Sequence, residues 1–147
     1  MRKKSKYKPR PVLLNPLAYV LEGFEKLVDR KDENVKIRLK YRLALDALMH
    51  GKATGADVDL LINAANVSTA LARAADKGRD WVTEIRAGVD AIEALRNRQR
   101  KLCTGPELYA IRTLLDIHDA QLDDSNILDV EAAVKLVRQR QRQGVMV

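Results

Sequence analysis

A chain of 147 residues with 46% hydrophobic residues, 7 Gly and 4 Pro has material for one domain with its own core and too little for two ordinary ones. Its single cysteine, Cys103, excludes a disulfide framework and any thiolate zinc site built within one chain, and its two histidines, His50 and His118, leave little for catalysis. The formal net charge of +7 is concentrated: Arg2, Lys3, Lys4, Lys6, Lys8 and Arg10 carry six of the excess charges, and the rest of the chain is nearly neutral.

The opening residues therefore read as a basic arm, 1–14, ahead of a single helical-bundle domain, 15–147. Like charges packed this closely repel one another and bury nothing, so the arm is expected to be flexible in the free protein and to act as a docking device, on phosphates or on an acidic protein surface. No apolar run reaches the roughly 18 residues of a membrane span. Pro11, Asn15, Pro16 and Glu22 interrupt the stretch after the arm before a signal core can form. The expected compartment is the cytoplasm, with no membrane partner.

Asn15 suits an N-cap and Pro16 the first helical position, where a missing N–H costs nothing. Leu17, Val20, Leu21, Phe24, Leu27 and Val28 then recur on one face, which predicts a helix to near Asp29, with Arg30 to Asn34 as a short connection. From Val35 to Leu45 the apolar residues Val35, Ile37, Leu39, Tyr41, Leu43 and Leu45 alternate with polar ones in period two. Read alone, that is a strand, but a strand needs partners and no second segment combines alternation with β-branched or aromatic enrichment. A helix is predicted instead, running to a left-handed C-cap at Gly51.

Thr54 and Asp57 approximate a capping box, and Val58, Leu61, Ile62, Ala65, Ala72 and Ala75 form the stripe of a long helix ended by Gly78. Trp81, Val82, Ile85, Val89, Ile92 and Leu95 mark the next, from about Asp80 to Leu102, and the short connection between these two predicts an antiparallel hairpin. Thr104, Gly105, Pro106 and Glu107 carry the strongest local signal: a Thr N-cap, Pro in the first turn and Glu three residues on. Leu108, Ile111, Leu115, His118 and Leu122 lie along one face of the helix that starts there. After Asp123 to Asn126 a last helix is predicted over Ile127 to Arg142, with Val130, Val134 and Val137 inward. The sum is an all-α fold, a compact bundle of about six helices with a flexible basic N-terminal arm.

His118, with Asp119, Asp123 and Asp124, has the chemistry of a metal or acid–base site, but His118 shares the apolar face of Ile111, Leu115 and Leu122, and a core histidine is the favoured reading. Gly51-Lys52-Ala53-Thr54-Gly55 has the residue types of a phosphate loop without its spacing, and reads as an interhelical turn. Cys103 follows a basic cluster and precedes a helix N-terminus, a setting that can lower a thiol pKa, yet no histidine is close to it in sequence; a structural or incidental thiol is favoured over a reactive one. Ala65 to Ala70 has the texture of a helix-turn-helix turn, but Ile62 is too bulky and Asn66 replaces the turn glycine, so one uninterrupted helix is expected. With aromatics at 4%, a stacking platform for single strands is not available. No catalytic residue, metal or cofactor is assigned.

Charge is also segregated along the body. Arg96, Arg98, Arg100 and Lys101 make one basic knot, and Lys135, Arg138, Arg140 and Arg142 make another. Between them, seven carboxylates from Glu107 to Glu131 face the single cation Arg112. Such asymmetry points to oppositely charged faces, which would serve partner binding or pair two copies of the chain.

The stretches Asn15-Pro16-Leu17-Ala18-Tyr19-Val20, Pro106-Glu107-Leu108-Tyr109-Ala110-Ile111 and Leu115-Asp116-Ile117-His118-Asp119-Ala120-Gln121-Leu122, with the opening Lys3-Lys4-Ser5-Lys6-Tyr7-Lys8-Pro9, resemble a family of uncharacterised small, all-helical proteins of proteobacterial phages, prophages and plasmids. The resemblance implies a mobile-element accessory protein acting in a bacterial cytoplasm, and it carries no residue roles. The expected function is non-enzymatic binding of a bacterial protein or nucleoprotein complex, in the manner of an inhibitor of host or defence machinery. The alternative is a phosphate-contacting, weakly sequence-specific nucleic-acid-binding protein. In either case the contacts are assigned to Arg2, Lys3, Lys4, Lys6, Lys8, Arg10, Arg96, Arg98, Arg100, Lys101, Arg138, Arg140 and Arg142.

Overall fold

In the structure, a computed structural model, residues 31–74 and 76–143 are described, with side chains at all of these except 31–34, 127, 134 and 141. They form helices α1 (Lys31–Met49), α2 (Gly55–Ala74), α3 (Val82–Arg96), α4 (Gly105–Asp124) and α5 (Ile127–Arg142), with a 3-10 turn at Arg79–Trp81 before α3. Among the described residues there are thus five helices rather than six. The helix expected over Asn15 to Asp29 and the basic arm lie outside the described residues, as do Ala75 and the side chain of Val134. No helix among the described residues is long and apolar enough to cross a membrane.

The ambiguous segment Val35 to Leu45 is helical, and α1 also takes in Lys31 to Asn34, which the sequence reading placed in a connection. The period-two pattern has a helical explanation. Each residue advances a helix by about 100°, so residues two apart stand on nearly opposite faces. Tyr41 and Leu45 are buried in the bundle and Ile37 packs against it, whereas Val35, Leu39 and Leu43 are 64%, 53% and 59% exposed. α1 is apolar on two faces and uses only one of them against α2 and α4. It closes in a left-handed turn at Gly51, φ 68°, where the Gly51 N–H donates to the Leu48 carbonyl at 3.3 Å and the Lys52 N–H to Ala47 at 2.8 Å.

α2 is the centre of the fold and packs against all four other helices. Ala64, Ala65, Ala70 and Ala72 are buried along it, and short side chains let neighbours approach on several sides. Asp57 anchors its start by accepting from the Thr54 N–H at 2.8 Å and the Thr54 hydroxyl at 3.1 Å. Its end comes at Ala74, earlier than the glycine signal at Gly78. Asp76 takes the left-handed conformation itself, φ 58°, and the Lys77 N–H turns back to the Leu71 carbonyl at 3.0 Å.

α3 also stops short of the expected end at Leu102. The Lys101 ammonium folds back onto the carbonyls of Arg98 (2.6 Å), Arg96 (2.9 Å) and Leu95 (3.4 Å), satisfying the terminal acceptors of the helix. Trp81 sits in the preceding turn, and Trp81 and Val82 are about half exposed, while Ile85, Val89, Ile92 and Leu95 are buried. α3 lies very close to α4 because Gly88 faces Ala110 and Leu114. The Thr104–Glu107 capping box opens α4 as its sequence predicts, and Asn126 and Asp129 cap α5 reciprocally, at 3.0 and 2.9 Å.

One buried polar knot ties α4 to the end of α2. The Ser68 hydroxyl donates to Gln121 Oε1 at 2.6 Å, and Gln121 Nε2 donates to the carbonyls of Ser68 (3.0 Å) and Lys77 (2.8 Å). Removing the amide strands the Ser68 hydroxyl and the Lys77 carbonyl, at about 1–3 kcal/mol for each group left buried and unpaired. We expect Gln121→Leu to lose about 2 kcal/mol or more in urea denaturation, and Ser68→Ala combined with it to lose less than the two single changes together. A Gln121→Leu midpoint equal to that of the wild type overturns this account.

Candidate partner-binding surfaces

The segregation of charge along the sequence is largely undone in space. The acidic side of α4 faces α1, where Arg38 pairs with Asp123 at 2.6 Å and Arg42 with Asp116 at 2.7 Å and Asp119 at 2.8 Å. Lys77 takes Asp124 at 3.3 Å and Asp129 at 3.9 Å. The signal was in the sequence, as two arginines four apart on α1 and two aspartates, Asp119 and Asp123, four apart on α4. It becomes readable only once the two helices are known to pair.

The knot at Arg96 to Lys101 also divides. Arg98 grips both Glu107 oxygens at 2.7 Å and donates to the Leu102 carbonyl at 2.9 Å, while Lys101 is the cap of α3. Arg98, with the Thr104 backbone N–H, holds the Glu107 carboxyl down at about 2. Two of the four cations are therefore engaged within the fold, and Arg96 and Arg100 remain exposed with no ion-pair partner among the described residues. The Cys103 thiol is pushed up, not down: partial burial comes first, and the neighbouring Glu107 adds to it, outweighing Arg98. The basic cluster and helix start that could have lowered the thiol pKa are thus outweighed by burial and Glu107.

His118 is fully buried on α4, its ring edge-on to Tyr41 at a centroid distance of 5.7 Å. Its carboxylate neighbours Asp119 and Asp123 turn to Arg42 and Arg38. His50 is exposed at the end of α1, its Nδ1 2.8 Å from the Asp46 carbonyl. Among the described residues no three histidine, cysteine or carboxylate groups come together as a metal site. Ala65 to Ala70 runs inside α2 without a break, and Gly51 to Thr54 is the turn between α1 and α2, in line with both sequence readings.

The surface that sequence reasoning missed is a groove of about 380 Å³ between α2, α3 and α5. Its floor is Ala72, Val82, Ile85 and Val89, and its rim carries Arg73, Arg86 and Arg140 with Asp90 and Glu93. Arg86 stands 3.4 Å from Asp90 across one helical turn. Trp81, 53% exposed, directly precedes Val82, 51% exposed. Of the C-terminal basic cluster, Arg140 lines the groove, Lys135 and Arg142 are exposed, and Arg138 is half-buried, its Nε without a hydrogen-bond partner. The contact residues assigned to the arm, Arg2 to Arg10, lie outside the described residues. The structure thus brings Arg140 together with Arg73 and Arg86, and it does not bring Arg96 or Arg100 into the groove. Comparison with protein-family models, with curated proteins and with solved structures gives no match.

Proposed function

We propose that this chain is a non-catalytic accessory protein that binds a bacterial protein or nucleoprotein complex, and that the groove between α2, α3 and α5 is its principal contact. The observation that carries this reading is the exposed Trp81 next in sequence to Val82, which belongs to the apolar floor of a groove rimmed by arginines. Tryptophan and arginine dominate the energetics of protein interfaces because each buries a large, rigid or forked group in one contact. The partner segment that suits the groove presents apolar side chains flanked by carboxylates, which Arg73 and Arg140 would meet. The placement in a mobile element and the inhibitory role rest on the resemblance of the motifs given above.

The test is affinity purification of the tagged full chain from a proteobacterial lysate, with and without nuclease, at low and moderate salt. One dominant protein complex that survives nuclease and moderate salt is expected. Trp81→Ala should weaken its capture by about 2 kcal/mol, roughly thirtyfold, without lowering the melting temperature, because Trp81 is more than half exposed. If instead nucleic acid elutes with salt and every other partner leaves with it, the chain is a phosphate-contacting nucleic-acid binder. Wild-type capture by the Trp81→Ala protein removes the groove from the account.

A further inference from the structure

The groove between α2, α3 and α5 is lined by helices alone, and that limits what can lie in it. The backbone groups of its walls are spent on hydrogen bonds within each helix. Its floor of Ala72, Val82, Ile85 and Val89 offers no side-chain donor or acceptor, and the Thr69 hydroxyl is turned to the Ala65 carbonyl at 2.8 Å. An extended segment laid on such a floor would bury its own N–H and C=O groups without partners, whereas a helix satisfies them internally. Along α3 the lining runs from Val82 to Glu93, about 16 Å at roughly 1.5 Å per residue, the length of three helical turns. The two sides of the groove differ in charge. Arg73 on α2 and Arg140 on α5 have no ion-pair partner among the described residues. On α3, Arg86 stands 3.4 Å from Asp90, which leaves Glu93, exposed and likewise without an ion-pair partner among the described residues.

We propose that the groove takes an amphipathic helix of about three turns from the partner protein, acidic along one flank only. Apolar residues at i, i+3, i+4 and i+7 rest on the floor, carboxylates face Arg73 and Arg140, and an uncharged or basic flank faces Glu93. Each guanidinium can take a carboxylate in a forked pair, which fixes the helix across the groove as well as along it. A nucleic-acid strand fits less well, because its phosphates would bring negative charge against Asp90 and Glu93. The inference rests on the groove being the principal contact and names the kind of segment that this contact recognises.

Trp81 is the one tryptophan of the chain and directly precedes Val82 of the floor, so its fluorescence reads occupation of the groove. The probes are synthetic helical peptides with leucine at i, i+3, i+4 and i+7. The first carries glutamate along one flank and glutamine along the other, the second has lysine in place of each glutamate, and the third is the first with proline at its centre. The full wild-type chain should bind the first with a blue shift of Trp81 emission, and the second and third each about tenfold more weakly or less tightly still. Arg73→Glu with Arg140→Glu, which breaks no ion pair among the described residues, should reverse the preference between the first two peptides. Equal binding of the first two by the wild type, undiminished binding of the proline peptide, or no response to any peptide at concentrations on the order of millimolar overturns the proposal. These comparisons need no variant to fold. Capture from lysate separates this inference from the reading it rests on. A loss with Trp81→Ala and none with the double arginine variant keeps the groove as the contact and overturns the acidic helix, whereas wild-type capture by Trp81→Ala removes the groove and the helix together.

Discussion

Acidification from pH 6.5 to 4.5 should destabilise the wild-type protein by roughly 2 kcal/mol, and His118→Leu should abolish most of that loss. The imidazole is fully buried, and burial, followed by the positive charges of Arg38 and Arg42, pushes its pKa from 6.5 down to about 3. Tyr41 packs edge-on against the ring and offers no negative charge to an imidazolium. An unfolded chain takes up the proton near 6.5, whereas the folded chain refuses it until about 3. Between those values the unfolded state binds more protons. The stability held by the neutral ring is therefore complete above 6.5 and is lost as the pH falls towards 3, at up to about 1.4 kcal/mol for each pH unit. The histidine dominates the window from 6.5 to 4.5, because Glu107, held down by Arg98, makes most of its contribution below its ordinary value of 4.5. Urea denaturation across that window reads the slope directly. A flat profile in the wild type, or an equal slope in His118→Leu, removes the buried neutral histidine from the account.

Gly88→Ala should destabilise the bundle by about 1–3 kcal/mol, although alanine is the better helix former by about 1 kcal/mol. A Cβ at this position would lie 2.5 Å from Leu114 Cβ, 2.7 Å from Leu114 Cδ1 and 3.0 Å from the Ala110 carbonyl oxygen. The terminal methyl can rotate away, but the other two atoms are fixed to the backbone of α4. Relief thus requires α3 and α4 to move apart, which loosens the contacts of Val89, Ile92, Ile111 and Leu115 as well. Adding Leu114→Ala should give no rescue, since alanine keeps the Cβ that clashes. Thermal or urea denaturation of the single and double variants decides the point, and a Gly88→Ala protein as stable as wild type shows that the helices are not held at this separation.

Much of the fold was legible because its signals are local. The box at Thr104 and Glu107 and the glycine turn at Gly51 each satisfy backbone groups within a few residues, so the residues that make them are neighbours in sequence. The helix ends that differed were decided by less common devices. α2 stops because Asp76, not a glycine, adopts the left-handed turn, and α3 stops because a lysine side chain reaches back over its last carbonyls. The strand-like alternation of Val35 to Leu45 shows the limit of periodicity, since a helix with two apolar faces writes nearly the same pattern as a strand.

By itself the sequence determined an all-helical chain, the starts of α2, α4 and α5, and the burial of His118 among Ile111, Leu115 and Leu122. Hydrogen bonds along a helix span four residues, and a side chain's face is set by its spacing from its neighbours. Only the tertiary structure decided how the charges and grooves fall. It spent Arg38, Arg42 and Lys77 on the acidic face of α4, committed Arg98 and Lys101 to helix ends, and gathered Arg73, Arg86 and Arg140 from three helices around one apolar floor. Ion pairs and grooves depend on which helices lie side by side and at what separation, and that follows from packing apolar surface among all the helices at once.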